Sequence, residues 1–251
     1  MEDISMTTTY AEATPGEETE GPRASVPSAL AEAAGVIDHL GLDPQAVERQ
    51  HHELTSIMLG YQFAIDQVLT RLTVLQEDFN HAHGDNPIEA ITSRVKAPAS
   101  VVSKARRKGV PLTGESIQKH IQDIAGVRVT CAFVEDVYTV KHLLLSLPDV
   151  TLVEERDYIA HPKENGYKSL HLIVSVPVVR ASGTTDVTVE IQIRTIAMDF
   201  WASLEHKIYY KYNGNVPAGI TESLREAAIV ANLLDHRMQD LRHEVHSFNS
   251  P

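Results

Sequence analysis

Residues 187–201, VTVEIQIRTIAMDFW, constrain the fold of this chain more than any other stretch, because a strand pattern there runs directly into a helix pattern. Valine and isoleucine alternate with polar residues until Ile196, where the helix pattern begins, so one face of the predicted strand is β-branched core. The other face carries Glu190, Gln192 and Arg194 in a row, since side chains two apart on a strand share a face. Taken alone, this row favours a solvent-exposed sheet face; charged partners elsewhere in the chain would favour a functional site.

The charge balance limits what the chain can bind. Its 251 residues carry a formal net charge of −12, which argues against non-specific adhesion to nucleic acid or to an anionic membrane. A polyanionic ligand must therefore be held by a local basic segment. The apolar fraction of 43% predicts a packed core, in one large domain or two small ones.

The sequence also predicts a cytoplasmic protein without a membrane partner. The single cysteine, Cys131, excludes an internal disulfide framework and fits a reducing compartment. No apolar run approaches the length that spans a bilayer. The N-terminus lacks the basic-then-apolar order of a signal peptide.

Two predicted domain regions follow from composition and periodicity. Residues 1–27 are rich in Thr, Glu, Pro and Gly and are predicted to be a disordered tail. Residues 28–251 are predicted to form a single domain that begins with a first short helical segment over 28–40 and a long helix over 43–83, and ends with a long helix over 220–246. An apolar stripe on that last helix favours intramolecular core, with a subunit interface as the next possibility.

A basic segment lies between residues 94 and 108. It contains no acid, although the chain as a whole is acidic. A solvated helix face is the usual role of such a run. Phosphate binding is the alternative that we favour, because Pro98 and the Val101–Val102 pair anchor the segment to the body of the protein and guanidinium and ammonium groups match phosphate oxygens. The cations are Arg94, Lys96, Lys104, Arg106, Arg107 and Lys108.

An acid and a tyrosine loop supply the charged partners for the polar row. Asp123 is predicted to begin a turn that ends at Gly126, between a helix and a strand over 127–134. Tyr167 lies in a loop with three basic side chains around it, which suits a nucleotide base stacked on the ring; a tyrosine that caps the core is as good an explanation of this loop alone. The three basic residues are Lys163, Lys168 and His171.

Together these features predict metal-assisted transfer between nucleotides. Asp123 and Glu190 come from different elements and provide the one or two carboxylates with which proteins hold Mg²⁺ beside substrate phosphates. Such transfer needs charge neutralisation and in-line positioning, which a metal and fixed cations supply. The chain has no GxxxxGK[ST] loop, which argues against a P-loop kinase.

Five motifs in the same order resemble those of the small alarmone synthetases, single-domain members of the bacterial stringent-response family that are also described as GTP pyrophosphokinases. The resemblance covers roughly residues 45–245 and implies an α+β fold, a nucleotidyltransferase-like mixed β-sheet flanked by helices with N- and C-terminal helical extensions. It also implies transfer of the β,γ-pyrophosphate of ATP to the 3′-hydroxyl of GDP or GTP, which yields AMP and (p)ppGpp. The motifs are SRVK (93–96), DIAGVR (123–128), EERDYI (154–159), PKENGYKSLH (162–171) and EIQIRTIAMDFWASLEHK (190–207).

The resemblance implies a role for each matching position on the ATP side. Asp123 and Glu190 resemble the pair that binds Mg²⁺, and Glu190 also resembles the residue that activates the 3′-hydroxyl. Arg94 and Arg128 resemble arginines that sandwich adenine. Lys96, Lys104 and Arg107 match positions near the ATP phosphates.

On the acceptor side, Tyr167 resembles the tyrosine that stacks on guanine. Asn165 and His171 match positions beside it, Lys163 matches a position near the acceptor phosphates, and Gln192 belongs to the same site. Lys168 and Leu170 stand where relatives often carry other residues.

The resemblance further implies a homotetramer, with (p)ppGpp or single-stranded RNA as candidate allosteric ligands. The sequence contains no His-Asp dipeptide of the kind found in the hydrolase domain of larger relatives, so we expect synthesis without hydrolysis. Two alternatives stay open: a regulatory RNA-binding module, and another nucleotidyltransferase on the same fold. Two acids in a binding groove disfavour the RNA-binding module.

Overall fold

The computed structural model describes residues 44–82, 86–212 and 216–249, and these ranges contain six helices and five strands. In chain order they are α1 (Pro44–Ala82), β1 (Ala90–Val95), α2 (Pro98–Arg107), α3 (Gly114–His120), β2 (Ala125–Cys131), α4 (Val134–Ser146), β3 (Thr151–Asp157), β4 (Leu170–Arg180), β5 (Gly183–Thr195), α5 (Ile196–Lys211) and α6 (Ala218–Asn249). The predicted tail over 1–27 and the first short helical segment lie outside the described residues.

The strands form one mixed sheet in the order β1-β2-β5-β4-β3. The β2–β5 pair is parallel, and the other three pairs are antiparallel. Helices flank this sheet, and the predicted helical extensions are present at both ends of the described chain. The predicted α+β class is therefore confirmed.

The main core joins this sheet to α1 and also includes residues of α2, α3 and α4. Tyr61, Ile65 and Leu72 on α1 are at most 1% exposed and belong to one apolar cluster with the strands. On β5, Ile191 and Ile193 belong to the same cluster and are fully buried, as the alternating pattern predicts. Burial of such side chains contributes roughly 1.5–3 kcal/mol each, so the apolar face of β5 fixes which of its faces remains for function.

The junction between β5 and α5 is as direct as the sequence predicts. Thr195 ends the strand and Ile196 begins the helix. The Thr195 hydroxyl accepts a hydrogen bond of 3.1 Å from the backbone N–H of Met198, which satisfies a donor in the first turn of α5. The same hydroxyl donates to Asp235 Oδ2 over 2.9 Å, so the junction is also tied to α6.

Several predicted boundaries were wrong. Strand β2 begins at Ala125, and Gly126 lies in the strand rather than in a turn because it is paired on both sides, with Arg94 and with Glu190. The predicted hairpin loop over 182–186 is shorter, because residues 184–186 continue the pairing of β5 with β4. Gly183 makes this tight reversal possible with φ +120°, a conformation that L side chains rarely adopt.

The apolar stripe of α6 is not intramolecular core over most of its length, so that prediction was wrong. Leu224 is buried against α5, but Val230 is 65% exposed and Leu234 is 53% exposed. These side chains line an apolar groove of about 840 Å³ between α5 and α6. In the part of the chain that the structure describes, no helix is long and apolar enough to cross a membrane.

Candidate active site

Strand register assembles a polar face on the sheet. Gly126 of β2 pairs with Arg94 of β1 on one side and with Glu190 of β5 on the other. Two residues further along β2, Arg128 pairs with Gln192. Directly paired residues point to the same face, so the polar row predicted on β5 continues across three strands.

A cavity of about 260 Å³ opens on this face. Asp123 reaches it from the turn before β2, so the two predicted carboxylates, Asp123 and Glu190, line one cavity. The predicted arginines Arg94 and Arg128 line it too, together with Gln192. The sheet therefore brings together residues that are up to 98 positions apart in the sequence.

The basic segment contacts Asp123. Lys96 Nζ lies 2.6 Å and Lys104 Nζ 2.5 Å from Asp123 Oδ2. Burial raises the pKa of Asp123, but the ion pairs with Lys104 and Lys96 outweigh it and hold this pKa below its ordinary value. Within the described residues the other oxygen, Oδ1, is buried and has no hydrogen-bond partner. Lys96 and Lys104 also line an adjoining cavity of about 430 Å³ with Arg107.

Glu190 is held by one contact at each carboxylate oxygen. Gln192 Nε2 donates to Oε2 over 2.9 Å, and His171 Nδ1 lies 3.4 Å from Oε1. Burial raises the pKa of Glu190, but the contacts with His171 and Gln192 outweigh it, so the pKa lies below its ordinary value. Glu190 is therefore a carboxylate at neutral pH.

Tyr167 lies in the loop over residues 158–169 between β3 and β4, the tyrosine loop, and is connected to Glu190 through His171. Its hydroxyl is 2.8 Å from His171 Nε2, and Lys163 Nζ lies 4.8 Å from the centre of its ring. Asn165 shapes the loop, since its side-chain oxygen accepts a 3.2 Å hydrogen bond from the backbone N–H of Tyr167 and its amide donates to Glu205. The ring also packs against the cluster of Trp201, so one side of it serves the core.

Gly166 brings the tyrosine loop onto α6. Its φ is +88°, and a Cβ at this position would lie 2.5 Å from the Cβ of Ala228. Lys168, next to the tyrosine, donates to the side chain of Asn232 on the same helix. The tyrosine loop therefore packs closely against α6 at Gly166, where α6 leaves no room for a side chain.

Arg194 and Asp199 are functional candidates that the sequence reasoning did not place in the site. Arg194 is 4% exposed and contacts both Tyr167 and Gln192. Asp199 lies in the first turn of α5 and pairs with Arg194 and Arg128. The signal for Arg194 was its place in the polar row of β5; Asp199 had none, because its partners come from two other elements.

All twelve predicted site residues lie in one continuous arrangement with three parts. The carboxylates share a cavity with two arginines, the lysines adjoin it through Asp123, and the tyrosine loop adjoins it through His171. Paired carboxylates, cations and a loop aromatic fit an enzyme that catalyses transfer between nucleotides. The residues are Arg94, Lys96, Lys104, Arg107, Asp123, Arg128, Lys163, Asn165, Tyr167, His171, Glu190 and Gln192.

Comparison with known proteins agrees with this class. Residues 93–215 match a family described as "Region found in RelA / SpoT proteins". Over 188 residues the chain is 49% identical to the GTP pyrophosphokinase YwaC of Bacillus subtilis, and this match covers 75% of this chain and 90% of that protein.

Solved structures agree as well. The small alarmone synthetase 1 of B. subtilis bound to its product pppGpp is 42% identical, with a TM-score of 0.73 over 78% of this chain and 99% of that one. A second structure of that synthetase, bound to AMPCPP, is 38% identical with a TM-score of 0.67 over 78% of this chain and 98% of that one. The chain belongs to the GTP pyrophosphokinase family that includes the small alarmone synthetases.

Proposed function

We propose that this chain transfers the β,γ-pyrophosphate of ATP to the 3′-hydroxyl of GDP or GTP, yielding AMP and (p)ppGpp, and that it does so without hydrolysing the product. The observation that carries the proposal is the shared cavity of Asp123 and Glu190, with cations on one side and the tyrosine loop on the other. A relative named GTP pyrophosphokinase and related structures bound to AMPCPP and pppGpp support this choice of nucleotides.

The donor half of the site holds ATP. Arg94 and Arg128 lie on neighbouring strands of the polar face, where their guanidinium planes can hold an adenine ring between them. Lys96, Lys104 and Arg107 line the adjoining cavity and hold the phosphates. The pyrophosphate is thereby placed beside Asp123, which both lysines contact.

The two carboxylates fit Mg²⁺. The buried Asp123 Oδ1 has no hydrogen-bond partner among the described residues, and Glu190 lines the same cavity. The described residues contain no cluster of three His, Cys, Asp or Glu, and a two-carboxylate set is what Mg²⁺ uses when phosphates complete its shell. When bound, Mg²⁺ would neutralise charge on the transferring phosphates.

Glu190 is the general base of the proposed reaction. It is ionised at neutral pH and takes the proton of the acceptor 3′-hydroxyl. That oxygen bonds to the β-phosphorus, and the bond from the β-phosphorus to the oxygen it shares with the α-phosphorus breaks. AMP leaves with this oxygen, and Lys96 and Lys104 stabilise the charge that moves onto it.

The acceptor half holds the guanosine nucleotide. Tyr167 stacks on guanine with His171 beside it, and Lys163 binds the acceptor phosphates. Asn165 holds the loop in shape through its bond to the Tyr167 backbone. Gln192 lies between this half and Glu190.

The test is transfer of label from γ-labelled ATP to GDP in the presence of Mg²⁺, with wild type and Glu190→Gln compared. Wild type should place the label in ppGpp and release AMP. Glu190→Gln keeps the shape of the side chain but loses the base, so turnover should fall by about 10²–10⁴-fold. The matched control is Glu77→Gln, an exposed glutamate on α1, which should leave turnover unchanged.

Failure of wild type to label a guanosine product from GDP, GTP or GMP would overturn the proposal. Equal loss of activity in Glu77→Gln and Glu190→Gln would remove Glu190 from the chemistry.

Assembly into a homotetramer and a cytoplasmic location are part of this proposal. The apolar groove between α5 and α6 supports assembly, because Val230 and Phe200 are each 65% exposed there and such a patch is typical of an interface. Reducing conditions suit the free thiol of Cys131. Regulation by (p)ppGpp or single-stranded RNA stays a prediction.

A further inference from the structure

A buried arginine stands at the centre of the acceptor half. Arg194 follows Glu190 and Gln192 on the polar face of β5 but is only 4% exposed. Its Nη2 donates to the Tyr167 hydroxyl over 2.9 Å and to Gln192 Oε1 over 2.5 Å. Its Nε donates to the Ser169 hydroxyl over 3.3 Å. A buried cation with this many directed bonds has little freedom to move.

Arginine donates hydrogen bonds and accepts none, so Arg194 is the donor in each hydrogen bond that it makes. The Glu190 carboxylate only accepts, so a neutral His171 carries its proton on Nδ1, which faces Glu190 Oε1 at 3.4 Å, and its Nε2 is an acceptor. The Tyr167 hydroxyl lies 2.8 Å from this Nε2 and accepts from Arg194, so its own proton is directed to His171.

Arg194 also fixes the orientation of the Gln192 side-chain amide. Its oxygen faces Arg194, so its nitrogen must face the other way. There it donates to Glu190 Oε2 over 2.9 Å. Two arms, each a chain of hydrogen bonds, therefore lead from Arg194 to Glu190: one passes through Tyr167 and His171, and the other through Gln192. Each arm ends in a donor on a different oxygen of the Glu190 carboxylate.

We infer that Arg194 is a positioning residue, which orients Glu190 for the reaction by setting the hydrogen-bond direction of both arms. The tyrosine hydroxyl then has a role that is separate from stacking by the ring. The inference rests on the proposed function, because its readout is transfer to GDP.

Asp199 forms an ion pair with the guanidinium of Arg194. Its Oδ1 lies 3.2 Å from Arg194 Nη1 and also 3.2 Å from Arg128 Nη1. One carboxylate oxygen thus connects the arginine of the acceptor half with an arginine of the donor half. Loss of its charge is expected to disturb both arginines, since each is partly desolvated.

The experiment is a double-mutant cycle of Tyr167→Phe and Arg194→Met, with kcat and the KM values for GDP and ATP measured for each variant. Tyr167→Phe keeps the ring but cuts one arm, so kcat should fall about 3–10-fold while the KM for GDP changes less than about twofold. Arg194→Met cuts both arms and should lower kcat by about 10–100-fold. The double variant should be little worse than Arg194→Met alone, because both changes cut the same arm.

Tyr61→Phe is the matched control. Tyr61 is a buried tyrosine on α1 whose hydroxyl bonds to Thr188 outside the site, so its loss tests stability alone and should leave kcat unchanged. Asp199→Asn replaces Arg194→Met if that variant does not fold. It should lower kcat and also raise the KM for ATP, through Arg128.

The outcomes separate the two proposals. Active wild type with unchanged kcat in both Tyr167→Phe and Arg194→Met, or in Tyr167→Phe and Asp199→Asn, would overturn the positioning role alone. Additive losses in the cycle would also overturn it, as would an equal loss of kcat in Tyr61→Phe. Wild type that forms no guanosine product would overturn both proposals.

Discussion

Replacement of Gly166 by alanine should weaken acceptor binding, because the tyrosine loop is seated on α6 at this glycine. Two separate costs arise there. The φ of +88° places the residue in a region that L side chains rarely adopt, and the new Cβ would lie 2.5 Å from the Cβ of Ala228. Real Cβ atoms do not approach this closely, so either the loop or the helix must shift.

The size of the effect follows from these two costs. The backbone conformation costs about 1–2 kcal/mol for a residue other than glycine. Overpacking against the helix adds typically 1–3 kcal/mol. If the loop remained seated, the sum of about 2–5 kcal/mol would lower the Tm by roughly 4–20 °C, at about 2–4 °C per kcal/mol for a domain of this size. A loop that lifts from α6 would lose less stability but would misplace Tyr167.

The assay is thermal unfolding together with the KM for GDP and for ATP. We expect Gly166→Ala to raise the KM for GDP by at least about tenfold, equivalent to 1.4 kcal/mol, with a smaller change for ATP. Gly183→Ala is the matched control, since Gly183 also has positive φ, +120°, but no atom lies within 4 Å of its added Cβ. It should carry the backbone cost without the effect on GDP.

Ala228→Gly tests the clash directly, because it removes the atom that the new Cβ would meet. The double variant Gly166→Ala with Ala228→Gly should recover most of the affinity for GDP, although a helix glycine costs up to about 1 kcal/mol of stability. The reasoning would be refuted if the double variant bound GDP no better than Gly166→Ala. Equal KM values for GDP in Gly166→Ala and Gly183→Ala would refute it as well.

Two further predictions concern α6. Asp235 is buried, which raises its pKa despite its bond to Thr195 and the nearby charge of Lys168. The folded state thus holds the proton more tightly than the unfolded state, so stability is lost as the pH rises above the ordinary carboxyl range and through this raised pKa. The Tm of Asp235→Asn relative to wild type should therefore rise as the pH is raised from about 4, and a difference that is independent of pH would contradict this. Val230→Glu with Leu234→Glu should yield a smaller species by light scattering without loss of helix content, since both side chains are exposed in this chain; an unchanged mass would argue against assembly through the groove.

The polar face of the site could be predicted from sequence because strand periodicity is local. Alternation along β5 separates Ile191 and Ile193 from Glu190 and Gln192 without knowledge of any other element, and the structure has this separation. The start of β2 could not be placed in the same way. Gly126 suggested a turn, and only its pairing with neighbours on both sides makes it a strand residue.

The role of α6 was harder to predict, because periodicity shows that a helix has an apolar face but not what covers it. Leu224 meets Trp201 and is buried, whereas Val230 and Leu234 lie on the same stripe and remain exposed. The side of the helix that contacts the tyrosine loop carries small and polar residues, Ala228 and Asn232, which give no amphipathic signal.

These two sides of α6 have a physical consequence for the site. The helix contacts Gly166 and Lys168 of the tyrosine loop, and through Asp235 it also holds Thr195 at the end of the strand that carries Glu190. A helix that contacts both the tyrosine loop and the strand of Glu190 helps to fix their relative position. A substitution on the loop-facing side of α6 is therefore expected to change acceptor binding without contacting the nucleotide, whereas one in the exposed groove is expected to change assembly first.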